Sequence, residues 1–198
     1  TSNINKVFPK LIEDTGYMGC KPYSKTLVNK ILAKGKAFSQ KKMDGRFVNI
    51  IVRDGDVEMV SRQGEPTILD NPKFLNELSQ LKDCVLNAEL TIDGVHRYES
   101  NGIIASLISI ANKMNKGNDT TKEIAKFELK HMPYRDALDL IRVTAWDILS
   151  IDEYYNLESL IPYEQRFEDV VNTLNNFDML SVVENKVVSN IEEAIEHF

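Results

Sequence analysis

Cysteine is scarce in this 198-residue chain, with only Cys20 and Cys84. Two cysteines with no second pair, and three histidines (His96, His131, His197) with no ligand spacing, exclude a zinc site. Both thiols are expected to be reduced, as in a cytoplasmic protein. Long apolar runs are missing, which excludes a bilayer-spanning helix. No basic start followed by an apolar stretch marks a signal peptide. Positive charge is in deficit: 24 Lys and Arg face 30 Asp and Glu, for a net charge of −6. That argues against a domain whose main task is neutralising phosphates, but not against a nucleic-acid enzyme, where local patches count for more than the sum. There is no internal repeat and no low-complexity segment.

What remains is ordinary globular composition, 42% hydrophobic and 27% charged, enough for one large domain or two small ones. The chain starts at Thr1 rather than methionine and stops at Glu196-His197-Phe198, inside a predicted helix. It is expected to be a piece of a longer protein.

Periodicity gives the elements. Residues 1–36 read as a lead-in, Pro-broken at Asn5–Ile12, with a helix from Ser24 to Ala33 on the spacing of Leu27, Val28, Ile31 and Leu32. Ala37–Gln40 reads as a short strand. Asp54-Gly55 between the alternating runs Phe47–Val52 and Asp56–Ser61 predicts a hairpin. Pro72 opens a helix to Lys82, and Cys84–Ile92 is a strand. Ser100 is expected to cap a helix to Lys116, followed by helices Thr121–Leu129 and Pro133–Asp139. Ile141–Leu149 is a buried strand, and Pro162 opens a helix to Phe177. Leu180–Val188 is expected to form a strand pair turning near Asn185-Lys186. Asn190 and Glu193 form the capping box of the last helix. Hairpins outnumber helical crossovers, so the expected class is α+β, with largely antiparallel sheets flanked by helices.

The residues with chemical potential lie on or beside these strands. Lys42-Met43-Asp44-Gly45 precedes the strand at Arg46. A lysine at a desolvated sheet edge can present a free amine as a nucleophile, and a glycine lets backbone approach a ligand. Ser61-Arg62-Gln63-Gly64 ends the hairpin. Asn87-Ala88-Glu89-Leu90 puts a carboxylate inside an apolar strand, which is costly without a partner. Arg97–Gly102 follows it, with Arg97 expected on a loop, and Trp146-Asp147 lies within the later strand.

In this order the motifs resemble the nucleotidyltransferase domain, ATP-grasp-like in fold, of ATP-dependent DNA ligases of the T-even phage type. Lys42-Met43-Asp44-Gly45 is similar to the family's nucleophile motif, Ser61-Arg62-Gln63-Gly64 to its Ser-Arg-x-Gly element, Ala88-Glu89-Leu90 to Gly-Glu-Leu, and Trp146-Asp147 to its aromatic-Asp pair. Segments at Asn5–Ile12, Ser100–Ile103 and Val183–Val188 extend the likeness to nearly the whole chain. The resemblance implies that Lys42 forms a lysyl–AMP with ATP. It further implies that Gln40, Asp44, Gly45, Arg46, Arg62, Glu89 and Trp146 line the nucleotide site. In that reading Arg62 holds a phosphate, Glu89 takes a ribose hydroxyl or Mg²⁺, and Trp146 stacks on adenine. It also implies nicked double-stranded DNA as partner and roles in DNA repair, replication and recombination. A monomer in the host cytoplasm, with no membrane partner, completes the picture.

Two departures bear on this. The arginine usual five residues after the nucleophile is Phe47 here, and Arg46 stands one place earlier, so that alternation turns Arg46 away from the nucleotide unless a bulge intervenes. The late Glu-Gly-x-x-x-Lys and Lys-x-Lys motifs are not found before Phe198, nor is an N-terminal DNA-binding domain or a C-terminal oligonucleotide-binding barrel. The alternatives are an RNA ligase or capping-type nucleotidyltransferase, and a non-catalytic nucleotide- or DNA-binding module.

Overall fold

The computed structural model describes Gly19 and residues 24–197. The expectations for Asn5–Ile12, Cys20 and Phe198 lie outside the described residues. The chain divides into two compact units. Among the described residues, the smaller takes Gly19 with residues 24–43 and 183–197, and the larger takes residues 44–182.

In the larger unit a five-stranded sheet has the order β3-β2-β4-β5-β6. Its strands are β2 (Arg46–Arg53), β3 (Asp56–Val60), β4 (Cys84–Ile92), β5 (Ile141–Leu149) and β6 (Leu180–Val182). The β2–β3 hairpin turns at Asp54-Gly55 with φ of 51° and 82°. Two consecutive positive φ values are what a twisted two-residue hairpin needs, and Asp-Gly is a pair that tolerates them. β2, β3, β4 and β5 pair antiparallel. β6 lies parallel to β5.

Alternation then separates two faces. Val48, Ile50, Val52, Leu86, Ala88, Leu90, Val143 and Ala145 point to one side and are buried in the main core. That side is covered by Phe74 and Leu78 of a helix at Pro72–Leu78, and by Ile103, Ile104 and Leu107 of the long helix Arg97–Asn115. Val170 and Leu174 of the helix Tyr163–Leu174 complete the cover. Short helices at Thr121–Lys130 and Tyr134–Asp139 add Phe127 and Ala137.

The smaller unit holds the helix Lys25–Leu32, a two-stranded antiparallel sheet of β1 (Ala37–Gln40) with β7 (Asn185–Val188), and the helix Ile191–His197. Within it, Asn190 Oδ1 accepts from Glu193 N at 2.9 Å, while the Glu193 carboxylate accepts from Ser189 N at 2.8 Å and from Asn190 Nδ2 at 2.7 Å, so the expected capping box is only half formed.

Three expectations are corrected. Leu180–Val188 is not a strand pair: β6 joins β5 in the large sheet, where Leu180 is buried, and β7 pairs with β1. Ser100 is not a cap. The helix starts at Arg97, and the buried Ser100 hydroxyl accepts from Ile92 N at 2.9 Å, tying helix to strand. A helix at Ile151–Asn156 was not expected, although Ser150 and Glu153 form a full capping box.

Candidate functional site

The nucleophile motif straddles the division of the chain. Gln40 and Lys42 belong to the smaller unit; Asp44 opens the described part of the larger one. Gln40 is the last rung of the β1–β7 ladder, opposite Asn185. Lys42 stands two residues further on, exposed, with Nζ 3.4 Å from the Met43 carbonyl. The expected desolvated sheet edge is therefore not what surrounds it within its own unit. The strand has already ended at Gln40.

In the larger unit the turn after the lysine is held closely. Gly45 N donates to Glu89 Oε2 at 2.6 Å. A Cβ on Gly45 would sit 2.4 Å from the Leu90 carbonyl oxygen and 3.1 Å from Glu89 Cβ. A glycine is needed here because its backbone lies against β4. The Asp44 carboxylate accepts from Arg97 Nη1 at 2.6 Å, and the Asp44 carbonyl from Asn101 Nδ2 at 3.3 Å. Arg97, expected on a loop, is the first residue of the long helix.

Register decides which of the other residues meet. Phe47 is opposite Glu89, and Glu89 is opposite Thr144, so these three share the face away from the helix-covered core. Arg46 is opposite Leu90 and takes the core-side direction, and its Nε is buried with no hydrogen-bond partner among the described residues. β2 runs in regular register here, so Arg46 and Glu89 point to opposite faces of the sheet. The bulge is instead on β5. Asn87 pairs with Asp147 and Ala88 with Ala145, leaving Trp146 as the extra residue. Its ring lies 5.9 Å from that of Phe47 and is 9% exposed.

Arg62 is exposed on the turn that follows the edge strand β3. Ser61 shapes that turn: its hydroxyl accepts from Gln63 N at 3.3 Å and Glu65 N at 3.1 Å. Gly64 supplies the left-handed φ of 78°.

Further along the same face is a buried polar network that the sequence reading did not find. Asn87 Nδ2 donates to Asn49 Oδ1 at 2.8 Å, and Asn49 Nδ2 to the Tyr154 hydroxyl at 3.1 Å. Beside it, Arg166 grips Asp147 with two hydrogen bonds of 2.8 and 3.1 Å, and Tyr163 donates to the Trp146 carbonyl at 2.8 Å. Burial raises the Asp147 carboxyl above its usual range, against the Arg166 bonds that lower it. The Arg166 guanidinium is raised in turn, first by its bond to Asp147. The first turn of the helix Tyr163–Leu174 thereby clamps both sides of the bulge that orients Trp146. In the sequence, the signals for this clamp were Asp147, a charged residue inside a buried strand, and the Tyr163–Arg166 pair, expected to stabilise its helix and the nearby core.

No cluster of three or more His, Cys, Asp or Glu suited to a metal ion occurs among the described residues. Glu89 alone offers a half-buried carboxylate near the turn. That fits a Mg²⁺ bound mostly by phosphate and water, and does not fit an all-protein cage. Among the described residues no helix is long and apolar enough to cross a membrane.

The bacteriophage T7 ATP-dependent DNA ligase, solved in complex with ATP, superposes with a TM-score of 0.62 at 19% identity, over 89% of this chain and 56% of that one. The fold is that of a DNA ligase nucleotidyltransferase domain. In sequence, the chain is 26% identical over 210 residues to the DNA ligase of Enterobacteria phage T6 and 25% identical over 219 residues to that of Enterobacteria phage T4. Each likeness takes in 96% of this chain, and the chain spans 43% of the length of either relative. No family model matches.

Proposed function

We propose that the chain is part of an ATP-dependent DNA ligase and carries its adenylation step. The observation that supports this most is a likeness to phage DNA ligases over 96% of the chain. That span includes Lys42, Gly45 of the turn that follows it, and the strand-borne residues Glu89 and Trp146. In the proposed reaction the Lys42 amine, having lost its proton, forms an Nζ–P bond to the α-phosphorus of ATP. The bond from that phosphorus to the bridging oxygen breaks, and pyrophosphate leaves.

The Phe47–Trp146 pair is the aromatic surface against which adenine is proposed to lie. Arg62, exposed and always charged, is proposed to hold phosphate. Glu89 holds the Gly45 turn with one oxygen and is the proposed carboxylate for the ribose or for Mg²⁺. When bound, the metal supplies charge neutralisation at phosphate. In the whole protein the adenylate then passes to the 5′-phosphate of nicked double-stranded DNA, and the 3′-hydroxyl displaces AMP to seal the nick. DNA repair, replication and recombination are the proposed settings.

Incubation of the chain with ATP and Mg²⁺, followed by intact-mass measurement, tests the reading. The expected result is a gain of one AMP, absent in Lys42→Ala. An unmodified wild-type chain, or an adduct that survives the substitution, would contradict it.

A further inference from the structure

Three bonds from two different elements converge on the two residues that follow Lys42 by two and three places. Glu89 of β4 takes the Gly45 N–H, Arg97 of the long helix takes the Asp44 carboxylate, and Asn101 takes the Asp44 carbonyl. Arg97 and Asn101 are four residues apart and so lie on one face of that helix, one turn apart. The second nitrogen of the Arg97 fork, Nη2, donates to the Tyr98 hydroxyl at 2.7 Å, which fixes the guanidinium from the other side.

The Arg97–Asp44 pair has 45% of each side chain exposed. A pair so open to solvent adds little to stability. What it does instead is fix the direction of one short stretch of backbone. Consecutive Cα atoms are 3.8 Å apart, so the Lys42 Cα lies within roughly 7.6 Å of the Asp44 Cα by chain connection alone. In-line attack requires the reacting atoms about 3–3.5 Å apart and aligned, so slack in that short link is paid in rate.

We infer that Arg97 and Asn101 are positioning residues for Lys42, clamping the Asp44 end of the nucleophile turn onto the start of the long helix. The inference rests on the adenylation reading above. Neither residue belongs to the motifs that mark the nucleotide site, and neither touches the reacting atoms in this role.

The test is single-turnover formation of the Lys42 adduct across a range of ATP concentrations. Arg97→Ala is expected to lower the maximal rate about tenfold, with the apparent ATP affinity changed less than about twofold and the melting temperature unchanged. Arg97→Lys is expected to recover part of the rate, because it keeps the charge and loses the fork. Asn101→Ala is expected to act in the same direction more weakly. Faster hydrogen exchange at the Gly45 amide in Arg97→Ala would report the loosened turn without any nucleotide.

A wild-type rate in Arg97→Ala would overturn the inference. So would a deficit that vanishes at saturating ATP, which would make Arg97 a nucleotide ligand, or a deficit that tracks a fall in melting temperature. A wild-type chain that forms no adduct is a different failure, that of the adenylation reading itself.

Discussion

On the helix-covered side of the five-stranded sheet, Val48, Ile50, Ala88, Leu90, Val143 and Ala145 are all fully buried and apolar. One residue away along the same strands, Phe47, Asn49, Asn87, Glu89, Thr144 and Asp147 form a face of aromatic, amide, hydroxyl and carboxylate groups. The first face is held mainly by area removed from water. The second is held by specific bonds: Asn87 to Asn49, Asn49 to Tyr154, Arg166 to Asp147. Because the strand period is two, a shift of one position exchanges these environments. Arg46 and Phe47 show the consequence. Adjacent in sequence, they face opposite ways, and the aromatic residue shares its face with Glu89 and Trp146.

The contrast can be broken most strongly at the buried ion pair. Asp147 is 1% exposed and Arg166 11%. Arg166→Ala leaves a buried carboxylate without its partner and is expected to cost about 3–5 kcal/mol in urea denaturation. A loss under about 1 kcal/mol would mean that the polar face does not depend on paired groups.

At the lip between β2 and β4, Gly45→Ala places a methyl against backbone oxygen at 2.4 Å, a neighbour that cannot rotate aside. The expected cost is at the upper end of overpacking penalties, about 3 kcal/mol. An alanine variant of native stability would refute the close approach as the reason for the glycine.

The apolar face is sharpened by Cys84, which lies on it opposite Val52. Burial there, with a smaller push from Asp83, raises the thiol from 9.0 to about 11. The neutral thiol is favoured in the folded state, so this contribution is fully present below pH 9 and is lost as pH rises through 9 towards 11. The difference is on the order of 2 kcal/mol. Subtracting the alkaline stability profile of Cys84→Val from that of the wild type should leave this fall. Superimposable profiles would show that the site is wetter than an apolar face allows.

Sequence alone carried much of this layout, for local reasons. Asp54-Gly55 encodes its own turn, and Cys84–Ile92 and Ile141–Leu149 are long enough to read as strands. What did not show was settled by partners distant along the chain. Gly45 is required by a carbonyl on Leu90, and the direction of Trp146 by a bulge visible only once β4 and β5 are in register. Arg97 gave no sign of reaching back to Asp44, 53 residues earlier. Leu180–Val188 read as one strand pair because its alternation is continuous, although its halves serve different sheets. The helix at Ile151–Asn156 was legible in principle, since Ser150 and Glu153 have capping-box spacing, but six residues are too few for periodicity to reveal.

The central claim is that Lys42, and not a neighbouring amine, is the group that takes the nucleotide. Lys41 stands beside it and is also exposed, and Lys36 precedes the strand that leads to it. Peptide mapping of the chain after treatment with ATP and Mg²⁺ separates them. The account predicts AMP on Lys42 alone, with Lys41 and Lys36 unmodified. AMP on Lys41 or Lys36, or spread across the three, would contradict it.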